Sequence, residues 1–278
     1  MTDEATVFVP GHVTGFFTSE PADDPTKAGS RGGGVTLADG VTVTVAASEE
    51  RSVTLNGVDI EAEAVDRVLD ALRATVAVRG ETPLPLGAGF GVSGAMALGS
   101  ALGTNAVADR RLSENELVTI AHGAEVQAGT GLGDVVAQAR GGVPLRLEAG
   151  GPQTNDMDAI PARGRVEYHV MGEYSTEAVL AGDTETLSRA GERAVSRVVK
   201  EPTMGQFMRA SRQFAREADL LTEGVQSVIE TVNEAGGTAS MAMLGETVFA
   251  LGSGLTDAGY DATVTSIYPG GATLQESE

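Results

Sequence analysis

The chain has 278 residues, 41% of them hydrophobic, enough for two domains or one large one with a sizeable core. Its 39 acidic residues against 19 basic ones leave a net charge of −20, which repels polyanions and argues against a nucleic-acid partner. The chain has no Cys, which excludes disulfides, Cys-ligated zinc and thiol catalysis. No apolar run reaches the roughly 18 residues of a membrane span, and the start does not read as a signal peptide. The expectation is a soluble cytoplasmic protein with no membrane partner. Lys27 and Lys200 are the only lysines. This acid-rich, lysine-poor composition reads as adaptation to a salty cytosol, where screening shrinks the self-repulsion.

Thr6 to Val9 is a short strand candidate, which Pro10-Gly11-His12-Val13-Thr14-Gly15-Phe16-Phe17 breaks. On its own, His12 reads as a turn histidine. Residues 18–34 are polar and glycine-rich, with an acidic loop from Ser19 to Asp24. Ser30 and Arg31 lie in the small-residue cluster Gly29 to Gly34, where Ser30 either faces a ligand or caps a turn. Val35 to Ala38 and Val41 to Ala47 alternate around Asp39-Gly40, a two-residue hairpin signal. Val53 to Leu55 is a strand candidate before an Asn56-Gly57 turn. Glu61 to Val78 has helical spacing, with Val65, Val68, Leu69, Leu72 and Val76 as one stripe.

Pro85-Leu-Gly-Ala-Gly-Phe-Gly-Val-Ser-Gly-Ala95 then joins a glycine loop to an apolar, Ala-rich helix of about Val92 to Ala108. Glycines admit positive φ and close approach of another group. The free N–H groups of a helix's first turn attract anions, phosphate above all. Ser93 falls in that turn. The bland alternative is a tight turn before a close-packed helix. Gly94, Gly99 and Gly103 each cost the helix about 1 kcal/mol against Ala, which makes sense if it lies tightly on its neighbours.

Ser113-Glu-Asn-Glu116 is a capping box. The helix it starts carries His122 and Glu125 three residues apart, on neighbouring positions of its surface. Ala128-Gly-Thr-Gly-Leu-Gly-Asp134-Val135 is a further glycine-rich loop, ending in a carboxylate. Val143 to Leu147 alternates as a strand, with Arg146 on the face opposite Val143, Leu145 and Leu147. Arg146 reads either as a solvated strand residue or as a planar fork for a carboxylate. Glu148 to Gly164 reads as an interdomain linker. A strand from Arg165 to Met171 follows, then a mainly helical block from Thr176 to Ala235 broken near Gly182-Asp183, Glu201-Pro202 and Thr222. Strands at Ala239–Met243, Thr247–Leu251 and Ala262–Ile267, with a short helix at Leu255–Gly259, complete a βαββαβ order of ferredoxin-like type.

The order Pro-x-Gly-Ala-Gly-x-Gly-x-Ser-x-Ala resembles the phosphate loop of the GHMP kinase superfamily. It lacks the Gly-Lys-Ser/Thr of a Walker loop and the spacing of the dinucleotide fingerprint. The resemblance implies an α+β, two-domain GHMP kinase fold. Residues 1–160 would form a half similar to the second domain of ribosomal protein S5, and residues 161–278 a ferredoxin-like half. It implies ATP held by Pro85, Gly87, Ala88, Gly89, Phe90, Gly91, Val92, Ser93 and Gly94, and Mg2+ held by Ser93 and Glu125. Asp134 would be the base that completes a catalytic set with Glu125 and Ser93.

Three further segments resemble the archaeal pantoate kinase family together. They are His12-Val-Thr-Gly-Phe-Phe17, Ala121-His-Gly-Ala-Glu-Val126 and Thr130-Gly-Leu-Gly-Asp-Val135. That resemblance implies phosphorylation of the primary hydroxyl of pantoate in coenzyme A synthesis. His122, Arg146, Ser30, His12, Arg31 and Thr130 would line the acceptor site. Two departures stand out. His12 replaces the usual cation of the early motif and Thr14 its Asn. Ser240 to Thr247 replaces a glycine run and keeps only Gly245. A homoserine or mevalonate type of kinase, or a non-catalytic sensor on the same fold, stays open at this point, as does a homodimer.

Overall fold

A computed structural model describes residues 3–172 and 184–275. β1 (Glu4–Phe17) and β2 (Gly32–Ala47) form a long antiparallel pair. The break expected at Pro10 and the hairpin expected at Asp39-Gly40 do not occur. Both strands run on, and the register shifts where Pro10 opposes Gly40 and Gly11 opposes Leu37. Pro10 has no N–H for the ladder, so the irregularity falls where a hydrogen bond is lost anyway. The alternation on either side of Asp39-Gly40 is one strand interrupted by a bulge.

β3 (Ser52–Leu55) and β4 (Val58–Asp59) pair across the expected Asn56-Gly57 turn, whose φ values of 50° and 77° are those of a two-residue hairpin. α1 spans Glu63–Ala71 only. The helix expected to reach Val78 ends because Arg73 turns left-handed, at φ 49°. Val76 and Val78 belong to β5 (Val76–Glu81), which lies between β2 and β3. At that point the period-2 pattern of Val76 and Val78 fits a buried strand better than it continues the helical stripe.

α2 (Val92–Val107) lies against β1 and β2. A Cβ on Gly99 would stand 2.5 Å from Val43, and one on Gly103 2.6 Å from Val45, so these glycines set the helix close to the sheet. α3 (Glu114–Ala128) starts at the expected capping box of Ser113 and Glu116. α4 (Asp134–Arg140), β6 (Pro144–Arg146) and β7 (Met157–Ala159) follow. β6 pairs with both β2 and β7, so the stretch expected as a linker carries a strand and the buried Ile160. The sheet order is β12-β1-β2-β5-β3-β4, with β6 and β7 branching from β2.

The second sheet is built by β8 (Arg165–Gly172), β9 (Thr238–Ala242), β10 (Glu246–Leu251) and β11 (Thr263–Ser266), in the antiparallel order β11-β8-β10-β9. The helices are α5 (Thr184–Lys200), α6 (Met204–Glu217), α7 (Glu223–Glu234) and the short α8 (Gly254–Asp257). Taken in chain order the four strands fall inner, outer, inner, outer, which is the ferredoxin-like topology. The expected helix start at Thr176 and the break at Gly182-Asp183 lie outside the described residues. β12 (Thr273–Leu274) returns to pair with β1, and Ile267 bridges to Leu37.

One apolar cluster fills the space between the first sheet and α1 to α3. A second joins Phe16, Phe17 and Leu37 to Phe207, Phe214 and Phe249 across the two sheets. β1 therefore serves both, its first half in one core and its second half in the other. We propose a division near residue 160, between β7 and β8. Among the described residues, no helix is long and apolar enough to cross a membrane.

Candidate active site

The glycine loop forms one wall of a cavity of about 460 Å³. Gly87, Gly89 and Gly91 take φ of 69°, 85° and 65°, which a residue with a Cβ adopts only under strain. Gly91 is the N-cap of α2, and no side chain caps it, so the first-turn N–H groups are left for a ligand. Pro85, Phe90, Val92 and Ser93 share the cavity wall, with Thr130 and Asp134 opposite. Ala88 and Gly94 are turned inward. The Ala88 carbonyl accepts a hydrogen bond from Thr247 (2.9 Å), and Gly94 packs against Glu125 and Asp134.

Glu125 is buried on α3. Its Oε1 accepts from Ser93 Oγ at 2.6 Å and from Thr130 Oγ1 at 2.7 Å. Burial pushes its carboxyl up to about 7; the charge of Asp134 adds to this, while the Ser93 and Thr130 hydroxyls oppose it. Below about 4.5 the group is protonated whether the chain is folded or not. Between 4.5 and about 7 the unfolded chain sheds a proton that the folded chain keeps. Stability without metal therefore falls as pH rises through that window, by about 3 kcal/mol. Glu125→Gln is expected to raise the melting temperature of the metal-free protein above neutral pH and to remove that slope. A lower melting temperature in the variant would show that the carboxylate stabilises the fold instead.

Asp134 opens α4, and its Oδ1 contacts His12 Nδ1 at 2.6 Å. His12 is fully buried, and its Nε2 has no partner. That nitrogen lies so close to Gly34 that a Cβ there would collide with it. Burial holds the imidazole below its usual value against the pull of Asp134. A doubly protonated ring would also strand an N–H against Gly34, so His12 is neutral and donates Nδ1–H to an anionic Asp134. Burial alone would push Asp134 up. The His12 hydrogen bond, the Arg146 charge and a backbone N–H outweigh it and hold the carboxyl below the usual range.

Arg146 comes from β6 and is only 2% exposed. Nε donates to the Ser30 carbonyl at 3.3 Å, and Nη1 has no partner. Burial lowers its pKa to about 10, with Asp134 opposing, so it is charged at neutral pH. Gly133 lets the loop approach it, since a Cβ there would stand 2.6 Å from both Arg146 Nε and Ser30 Oγ. Arg146, Ser30, Asp134 and Thr14 line a narrow recess that adjoins the larger cavity, with Leu132 and Leu244 as its aliphatic wall.

The structure thus brings Ser93, Thr130, Glu125, Asp134, Ser30 and Arg146 together, but Thr130, expected on the acceptor, stands with Ser93 in the larger cavity, bonded to Glu125, and does not line the recess. It places three other expected residues behind or beside the site. His12 supports Asp134 from beneath. His122 is buried and donates Nε2–H to the Ala28 carbonyl at 2.8 Å, which fixes the loop that presents Ser30. Arg31 pairs with Glu20 and Glu192, each at 3.0 Å, away from the recess. Sequence reasoning missed Leu132, Leu244 and Gln138, and noted Thr14 only as a departure from the early motif. Gln138 Nε2 donates to the Gly91 carbonyl at 2.9 Å and so ties α4 to the glycine loop. Its position four residues after Asp134 on a helix was the available signal.

An uncapped helix start behind a glycine loop, facing a hydroxyl-bound carboxylate and an anionic aspartate, defines the site of a phosphoryl-transferring enzyme. Residues 59–142 match the family described as GHMP kinases N terminal domain. The chain is 31% identical over 252 residues to a pantoate kinase of Methanocaldococcus jannaschii, covering 88% of this chain and 92% of that protein. It is 33% identical over 261 residues to a pantoate kinase of Thermococcus kodakarensis, covering 88% and 86%. A solved structure described as a phosphotransferase related to the CoA biosynthesis pathway superposes with a TM-score of 0.87 at 28% identity, covering 98% of each chain. The chain belongs to the GHMP kinases and, among them, to the pantoate kinase family.

Proposed function

We propose that the chain transfers the γ-phosphoryl group of ATP to the primary hydroxyl of pantoate, in a cytoplasm of high salt. The observation that carries the acceptor is Arg146, a buried guanidinium with an unpartnered donor beside Asp134. Buried donors in native proteins have partners, and a planar fork of this kind suits a carboxylate. Ser30 lies next to it for a further oxygen of the acid. The acceptor hydroxyl then points at Asp134.

The glycine loop from Pro85 to Gly94 holds the triphosphate through backbone N–H groups and the start of α2. Ser93, Thr130 and Glu125 present only oxygen donors, which fits magnesium. Among the described residues, no cluster of three or more His, Asp or Glu side chains is placed to hold a metal. The protein's share is therefore one carboxylate and hydroxyls, the usual arrangement for magnesium shared with phosphates. Magnesium, when bound, neutralises charge on the phosphoryl oxygens. Asp134 takes the hydroxyl proton, the freed oxygen bonds to the γ-phosphorus, and the bond to the bridging oxygen breaks to leave ADP. His12 keeps Asp134 anionic and aimed. Most of the catalysis is positioning and charge neutralisation.

An ADP-release assay in molar potassium chloride, with pantoate, homoserine and mevalonate in turn, tests this reading. Release driven by pantoate supports it, and release driven only by another acceptor overturns it. The net charge of −20 with two lysines also carries an expected salt dependence. Melting temperature and activity should both rise from dilute buffer to molar salt. An unchanged melting temperature in dilute buffer would contradict the salt adaptation.

A further inference from the structure

Leu244 occupies the tip of the β9–β10 turn with φ 67°, a left-handed conformation that glycine adopts freely and leucine does not. The neighbouring structure holds it there. Met243 N–H donates to the Thr14 carbonyl at 2.9 Å, and Thr247 Oγ1, fully buried, donates to the Ala88 carbonyl at 2.9 Å. Gly89 packs against the turn so closely that a Cβ on it would stand 2.8 Å from the Met243 carbonyl. A turn pinned at both ends holds its tip residue in that strained conformation.

The Leu244 side chain stands at the junction of the two cavities. Leu244, Thr14 and Asp134 line both the nucleotide cavity and the acceptor recess. Leu132 faces the same recess from the loop before α4. The recess is lined by Arg146 and Ser30, which can meet oxygens, by Asp134 for the reacting hydroxyl, and by Leu132 and Leu244. Pantoate has groups to match. A carboxylate and a hydroxyl stand at one end, the primary hydroxyl at the other, and a carbon bearing two methyl groups lies in the middle.

We propose that Leu244, with Leu132, is the specificity-determining contact for the dimethyl-bearing carbon of the acceptor. The strained leucine closes the recess around a branched acid and leaves an unbranched one loosely held. This rests on the pantoate kinase reading and names the part of the acceptor that the site measures. A methyl group in an apolar pocket is worth roughly 10- to 200-fold in discrimination.

The test compares kcat/KM for pantoate and for 2,4-dihydroxybutanoate, which lacks both methyl groups, at saturating ATP. The wild type should prefer pantoate. Leu244→Gly suits the backbone and removes the side chain, and it should lower that preference at least ~10-fold, mainly through KM for pantoate. Leu244→Ala and Leu132→Ala should lower it in the same direction, which keeps the test alive if one variant fails to fold. Equal losses on both acceptors would overturn the proposal and leave Leu244 a packing residue. Absence of transfer to pantoate by the wild type would instead sink the kinase reading itself, so the two failures are distinguishable.

Discussion

Asp134→Asn is expected to bind ATP as the wild type does and to lose at least ~100-fold in turnover, the low end for a positioned base. The substitution is nearly isosteric, and the new amide oxygen still accepts from His12 Nδ1–H, so the local packing survives. The anion is what disappears. In the wild type the His12 hydrogen bond and the Arg146 charge hold the Asp134 carboxyl below its usual range, so it is anionic at neutral pH. An amide offers no such acceptor. Single-turnover phosphoryl transfer, measured beside nucleotide binding, checks this. Near-normal transfer in the variant would remove Asp134 from the mechanism.

Arg146→Ala is the second large effect. A charge-assisted hydrogen bond contributes roughly 1.5–3 kcal/mol, so KM for pantoate should rise about 10- to 150-fold, with KM for ATP nearly unchanged. Arg146→Lys should recover little of this, because a point charge does not reproduce the fork. Arg31→Ala is the control. Its guanidinium is taken up by Glu20 and Glu192 and does not line the recess. If Arg31→Ala raised the pantoate KM while Arg146→Ala left it alone, the carboxylate would lie on the other side of the site.

The parts of the fold legible in the sequence are those with local causes. The glycine loop, the Ser113 capping box, the Asn56-Gly57 turn and the βαββαβ order of the second half each follow from short-range chemistry. Asp39-Gly40 misleads for the opposite reason. A two-residue turn and a bulge share one local signature, and only the partner strand, with Pro10 at the same level, decides between them. Val76 misleads because one apolar residue satisfies the helical stripe and the strand period at once, until Arg73 turns left-handed.

The same division runs through the site. Ser93, Glu125 and Asp134 are legible because each sits in its own glycine-rich or capped motif. The inward turn of Arg146 is not, since a strand arginine between apolar residues points to solvent or core according to what covers it. Nor is the His12 contact with Asp134, made across 122 positions of sequence. Leu244 is the least legible. Its strain and its place between the cavities arise only when the β9–β10 turn meets Ala88 and Gly89 of the other half.

Phosphorus NMR of the product made from ATP and pantoate tests the central claim most directly. Transfer to the primary hydroxyl places phosphorus beside a CH2 group, and the proton-coupled spectrum should show a new phosphomonoester triplet that grows as ADP appears. A doublet would place the phosphoryl group on the secondary hydroxyl, and inorganic phosphate alone would mean hydrolysis without an acceptor; either result would contradict the account.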